Sequence, residues 1–261
     1  MLRSLYSAAS GMQAQERRMD VISNNLANTS TTGFKKQRAD FEDVLYETVK
    51  DAGVPMTGQA ADPAPLQVGL GVRNASMTRS QDMGDLQQTN NPLDLAIEGA
   101  GYFRVIRPSG EYAFTRAGNF RVDANGKVVT QHGDTLDGNI SIPLEAQSIT
   151  ITPDGTVSAR MPGKDTPQDL GKIELTLFTN PAGLDAIGGN LFIANDAAGT
   201  QTQVKPGDLG SGSVSQGYLE GSNVQAVTEM VDLISTQRAY ELNSKVIQTA
   251  DQMLQRLTTL R

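Results

Sequence analysis

Four places in the sequence carry residue types that could do chemistry. Gly99-Ala-Gly101 has the first spacing of a dinucleotide loop, in which glycines let the backbone approach a pyrophosphate at a helix N-terminus. Two apparent strands flank it and no helix follows, so the required setting is missing. Asp123, Asn125 and Gly126 have the opening spacing of a calcium loop, but the remaining ligand positions and the distal Glu do not follow. His132, the one histidine, lies in the turn sequence QHGD without a second His or a Cys to complete a metal site. It reads as a surface turn residue. Asp94 and Glu98 could pair for acid–base work, yet on a strand they share one side with no third group implied, and acidic side chains on an edge strand serve solubility. No nucleophile, base and orienting group come together. The sequence predicts no catalytic residue, no metal ligand set and no cofactor.

Composition narrows the classes further. The formal net charge is −7, which argues against a general nucleic-acid binder, because such a protein needs cations to neutralise phosphates. The absence of cysteine excludes disulfides, thiolate metal sites and a Cys nucleophile. No apolar run reaches the length of a membrane span, so the chain is not expected to insert. The start, MLRSLYSAASGMQAQERRMD, has a basic residue and an AAS but no unbroken apolar core, so any route out of the cytoplasm is expected to be other than a cleavable signal peptide. Glycine is frequent at 26, Trp is absent and aromatics are 5%. Many short strands joined by tight turns fit that better than one aromatic-rich core.

The elements that organise the chain are at its ends. From Gly221 to Arg261 apolar pairs recur one heptad apart, at Ala239-Tyr240, Val246-Ile247 and Met253-Leu254, with Leu233 one heptad before. A repeat of seven winds an apolar seam around a helix and leaves it needing a partner. Ser222 or Asn223 is expected to cap its start. Residues 2–28 form a second amphipathic helix, with Leu5, Met12, Met19 and Leu26 a heptad apart. Gly11 weakens it by about 1 kcal/mol relative to Ala. The two stretches predict a helical hairpin or bundle closed by the chain ends. Residues 34–50 fit a short helix or an extended arm, and Lys35, Lys36 and Arg38 read as a solvated face or as a contact to an acidic neighbour. Residues 51–71, rich in Gly, Pro and Ala, read as a linker.

Between about 72 and 215 the period changes to two. Leu93, Leu95 and Ile97 alternate with polar or small residues, Tyr102–Ile106 is a strand, and Pro153-Asp-Gly155 between Ile151 and Val157 signals a hairpin. The expected fold class is α+β and multi-domain: N- and C-terminal α-helices forming a coiled coil, with a β-rich central domain of short strands and hairpins. The expected divisions are 1–32 plus 222–261 as the helical coiled-coil domain, 33–80 plus 206–221 as a connecting segment with an extended hairpin, and 81–205 as a β-rich outer domain.

Several stretches together resemble the bacterial flagellar rod and hook axial protein family. SNNLANTSTTGFKKQRADFEDVLY at 23–46 is similar to its N-terminal signature and NPLDLAIEGAGYFRV at 91–105 to its central motif. QGYLEGSNVQAVTEMVDLISTQRAYELNSKVIQTADQML at 216–254 is similar to its C-terminal signature. Length and the fit of nearly every segment point to the distal-rod subfamily, with hook or proximal rod as the alternative. The resemblance implies a structural protein, not an enzyme. Its terminal helices would form an inner coiled-coil layer around an export channel. Its subunits would stack helically into a periplasm-spanning drive shaft that carries torque from motor to hook. The implied partners are further copies of the chain, other rod proteins and the hook protein at its ends, surrounding P and L ring proteins, and the flagellar type III export apparatus. The residues expected to self-associate are Leu5, Met12, Met19, Leu26, Leu233, Tyr240, Ile247 and Leu254. Asn24, Asn25, Leu26, Ala27 and Asn28 match the family motif, its asparagines expected to fix the helix end through backbone hydrogen bonds. A monomeric or dimeric adaptor held by its terminal helices is the rival from another class.

Overall fold

The computed structural model describes residues 2–50, 65–138, 140–163, 166–208 and 210–259. The chain folds α+β, with a helix near each end and strands between. It forms two compact units. One comprises Met1–Ala27, Gln37–Thr78 and Gln225–Arg261, the other Asn28–Lys36 and Arg79–Val224.

In the helical unit, α1 spans Leu2–Ala27 and α2 spans Ala226–Thr259. No Gly or Pro interrupts α2, Glu229 lies in its first turn and Arg256 in its last, which suits the helix dipole at both ends. The helices run antiparallel. Gly11 faces Asn243, where an added Cβ would lie 3.0 Å from Nδ2, and Asn25 donates to Glu229 at 3.1 Å. The helix start differs from expectation. α2 begins at Ala226, beyond the reach of Ser222 and Asn223 as caps. Asn223 is occupied elsewhere: its Oδ1 accepts from the Lys36 backbone N–H at 2.6 Å and its Nδ2 donates to the Asp82 carbonyl at 3.0 Å.

Residues 34–50 resolve as extended chain. β1 (Gln37–Asp43), β2 (Tyr46–Lys50), β3 (Leu66–Gly69) and β4 (Val72–Arg79) pair as two ribbons, β1 with β4 and β2 with β3. Period-two charge explains the first ribbon: Arg38, Asp40 and Glu42 share one side of β1. Asp40 accepts from Thr78 at 2.8 Å and Glu42 pairs with Arg73. The Thr78 bond first, with Arg38 and the Ser76 hydroxyl adding to it, holds the Asp40 carboxyl below its ordinary value. The β2–β3 ribbon spans part of the segment read as a linker, of which residues 51–64 lie outside the described residues.

The β-rich unit is built on an antiparallel sheet centred on the strand Tyr102–Ile106. One edge of that strand pairs with Tyr112–Thr115. The other edge is divided, its first half pairing with Leu175–Phe178 and its second with Thr135–Leu136. Side chains alternate across the sheet, so two cores form. Phe103, Val105 and Ala113 join Leu95, Ile97, Phe120 and Leu175 in the larger one. Tyr102 and Phe114 turn the other way, against Phe178, Leu184 and Phe192. Three edge-to-face ring pairs with centroids 4.8–5.9 Å apart concentrate aromatics in this smaller core. The hairpin at 151–157 forms as the turn residues require. Ile151 pairs with Val157, and Gly155 takes φ 81°, a conformation strained for any residue with a Cβ.

Gly118 shows how tightly the larger core is closed. Its carbonyl accepts from the Leu95 N–H at 3.0 Å, and a Cβ built on it would lie 1.6 Å from the Leu95 carbonyl oxygen. Both neighbours are backbone, so neither can swing aside. Gly118→Ala is expected to cost ~3 kcal/mol through overpacking. In a domain of this size that lowers the thermal midpoint by roughly 6–12 °C, measured as a cooperative melt of the mutant against the parent.

Candidate self-association surface

Seven-residue spacing sets Glu229, Thr236, Asn243 and Ala250 in one line along α2. Glu229, Thr236 and Ala250 are buried and Asn243 half-buried. On α1 the buried residues are Ala8, Ala14, Val21, Ile22 and Asn25. Small residues let helix backbones approach closely, as at Gly11, where an added Cβ would press on Asn243. The bulky heptad residues therefore stand at the margins of this contact. Leu5, Met12, Met19 and Leu26 on α1 are half-buried, as are Leu233, Ile247 and Leu254 on α2, while Tyr240 is exposed. The structure brings all eight into one unit without covering any of them fully.

A second set of apolar side chains on α2 is more open. Val227, Met230, Val231 and Ile234 recur at three- and four-residue spacing, on the side of the helix away from Glu229 and Thr236. They are 76, 54, 60 and 49% exposed. Leu242, Val246 and Met253 continue the exposure toward the C-terminal end, and the β2–β3 ribbon exposes Tyr46, Val49, Leu66 and Val68. Neighbouring exposed apolar side chains are the composition that interaction surfaces present.

The β-rich unit holds a buried charge cluster that the sequence reading missed. Lys35 Nζ lies 2.6 Å from Glu220 Oε1 and Arg116 Nη1 lies 3.3 Å from Glu220 Oε2, with all three side chains at most 5% exposed. Two cations thus share one carboxylate. Backbone carbonyls meet further donors: Asp82 accepts from Lys35 at 2.7 Å, and Ile97 and Gly99 accept from Arg116 at 3.2 and 2.6 Å, while Arg116 Nε is buried without a partner among the described residues. The Gly84 N–H donates to Glu220 at 3.1 Å. Burial pulls the Lys35 ammonium below the ordinary lysine value, with Glu220 opposing that shift. Lys35 is therefore not part of a solvated basic face. In the run Phe34-Lys-Lys-Gln-Arg38 nothing local separates it from Lys36, and only its distant partner Glu220 does. The Gly99-Ala-Gly101 loop also acquires a role, since its first carbonyl receives a guanidinium.

The other polar candidates are engaged separately. Asp94 accepts from Asn91 at 2.9 Å and Glu98 from Ser215 at 2.6 Å, so they do not act as a pair. Asp123 accepts from Asn125 at 3.1 Å inside an exposed turn, and His132 is exposed. Among the described residues no group of three or more His, Asp or Glu could hold a metal, and no helix is long and apolar enough to cross a membrane.

Three family profiles match the chain in order. "Flagella basal body rod protein" covers residues 5–35, "Flagellar hook protein FlgE/F/G D1 domain" covers 96–159, and "Flagellar basal body rod FlgEFG protein C-terminal" covers 215–260. The flagellar basal-body rod protein FlgG of Caulobacter vibrioides is 48% identical over 261 residues, with both chains covered fully. The chain belongs to the FlgG family of flagellar basal-body rod proteins. It is a structural component of the flagellar basal body. The rod protein of Bacillus subtilis is 41% identical over 269 residues, whereas the flagellar hook-basal body complex protein FlhP of that organism is 30% identical over 274, each with full coverage of both chains. These full-length matches favour rod over the hook alternative.

The rod-family motif at the end of α1 has a defined geometry. Asn25 is 1% exposed; its Nδ2 donates to the Gln37 carbonyl at 2.8 Å and to Glu229, and its Oδ1 accepts from the Gln37 N–H at 2.9 Å. One side-chain amide thus satisfies both backbone groups of the first residue of β1 and touches the first turn of α2. Asn28 closes the following turn, its carbonyl accepting from the Thr31 N–H and its Oδ1 from the Thr31 hydroxyl, both at 3.1 Å. Asn24 and Ala27 are exposed and Leu26 is half-buried.

Proposed function

We propose that this rod protein polymerises helically into the distal rod, with α1 and α2 of neighbouring subunits forming a coiled-coil inner layer around the export channel and the β-rich region lying outside it. The polymer acts as a drive shaft. Other rod proteins and the hook protein meet it at its ends, P and L ring proteins surround it, and the flagellar type III apparatus exports its subunits without a cleavable signal. Leu5, Met12, Met19, Leu26, Leu233, Tyr240, Ile247 and Leu254 contribute the seams. The observation that carries the reading is the exposed apolar surface of α2 at Val227, Met230, Val231 and Ile234. Each such side chain, half to three-quarters exposed in the subunit, stabilises a polymer by ~1–2 kcal/mol when a neighbour covers it. Rigid rotation under torque needs many such contacts repeated along an axis.

Purified chain, concentrated stepwise and imaged by electron microscopy, is expected to form tubes above a critical concentration. A discrete dimer at every concentration would instead support the adaptor role and end the axial one.

A further inference from the structure

We propose that residues 33–36 and 220–223 form a clasp, closed in the unassembled subunit, that keeps the chain ends bearing α1 and α2 together before those helices order. This rests on the axial reading above, in which the helices complete their contacts during assembly. Both segments of the clasp belong to the β-rich unit, which has its own core. They are joined at successive levels. The Gly33 N–H donates to the Glu220 carbonyl at 2.8 Å, the Asn223 N–H to the Phe34 carbonyl at 3.4 Å, and the Lys36 N–H to Asn223 Oδ1 at 2.6 Å. The ion pair between Lys35 and Glu220 lies under them, with side chains 1 and 0% exposed.

The consequence follows from chain statistics. Asn25 and Glu229 touch across 204 residues. With the clasp closed, the path between them through residues 35 and 220 is only about twenty residues. With the clasp open and the β-rich unit still folded, that path lengthens to about sixty-five residues; closure probability falls with the three-halves power of loop length, so the clasp raises the effective concentration of one helix end near the other roughly sixfold. An exported subunit could then keep its helices unformed and still pair them in the correct register on arrival.

The chain has no cysteine, which makes a direct measurement possible. Ala27→Cys and Ala226→Cys place one thiol at the last residue of α1 and one at the first of α2. The equilibrium of their disulfide in a glutathione buffer gives the effective concentration in the monomer. Thiolate attack on glutathione disulfide and displacement by the second thiol conserve electrons, two glutathione thiols being released per protein disulfide. Adding Lys35→Glu and Asn223→Ala opens the clasp by setting a second carboxylate against Glu220 and removing the amide bridge to Lys36, while Arg116 still balances Glu220. The expected result is a fall in effective concentration of roughly sixfold, with the cooperative melt of the β-rich unit retained. An unchanged value overturns the clasp. Should that variant not fold, amine acetylation of the cysteine-free parent decides. Lys35 in the dilute monomer should react at least about tenfold more slowly than exposed Lys127, following the buried amine's restricted access, and equal rates overturn the proposal. Neither readout requires polymer, so a chain that never forms tubes would refute the axial reading while the disulfide ratio still judges the clasp.

Discussion

Glu220→Gln is expected to unfold the β-rich unit at or near ambient temperature. The substitution nearly preserves shape, and the amide can still accept a hydrogen bond. What it removes is the negative charge paired directly with both Lys35 and Arg116, all three side chains being no more than 5% exposed. Breaking a buried pair by taking away one partner costs ~3–5 kcal/mol, because the other charge is left uncompensated. Here two cations are left, against a total domain stability of about 5–15 kcal/mol. Lys35→Met removes one of the two cations and leaves Arg116 and Glu220 as a one-to-one pair. Its cost should stay within ~1–2 kcal/mol, since replacing a buried charge by a well-packed apolar chain is often close to neutral. Urea titrations followed by tyrosine fluorescence, in a chain without Trp, would rank the two. Equal midpoints would show that charge balance is not what this cluster supplies.

The same variant has a pH signature. Burial already holds the Lys35 ammonium below the ordinary lysine value, and Glu220 is the leading opposing influence. Without the carboxylate that opposition is lost. A lysine whose folded-state pKa lies below its unfolded one binds more protons when unfolded, so stability rises with pH until the ordinary lysine value is reached. The deficit of the Gln variant should therefore narrow between pH 7 and about pH 10.

Local patterns in the sequence were enough to find both helices, the hairpin at 151–157 and the strand at 102–106, because each depends on periodicity or turn chemistry within a few residues. The start of α2 was misplaced for a reason of the opposite kind. Asn223 is a good cap by residue type, but its side chain is committed to Lys36 and Asp82, more than a hundred residues away. Lys35 is the same case with a larger energy at stake: adjacent lysines are alike in sequence, and the fold buries only one beside Glu220. The helix contact shows a third limit. Heptad reading selects the bulkiest apolar residues, while close helix approach at Gly11 places small and polar residues, Ala8, Ala14, Thr236 and Ala250, at the buried line. Size patterns report which helices want partners more readily than which atoms meet.

That distinction decides where to cut assembly from folding. Leu254 and Ile247 are half-buried within the subunit, so a charge there strikes the pairing of α1 with α2 and any contact between copies at once. Ile234 is 49% exposed, among Val227, Met230 and Val231, on the side of α2 away from Glu229 and Thr236. Ile234→Asp should leave the melt of the isolated subunit within ~0.5 kcal/mol of the parent, as surface substitutions usually do. In a polymer it forfeits ~1 kcal/mol of apolar burial, since half of Ile234 is already covered, and forces a carboxylate to be desolvated or left facing a gap. Since 1.4 kcal/mol is tenfold in affinity, the critical concentration should rise on the order of a hundredfold or more. Sedimentation of the variant beside the parent, with electron microscopy of each pellet, measures this. Tubes at the parent's critical concentration would show that this face of α2 stays open to solvent in the rod, and would shift the seam to the half-buried margins at Leu233, Ile247 and Leu254.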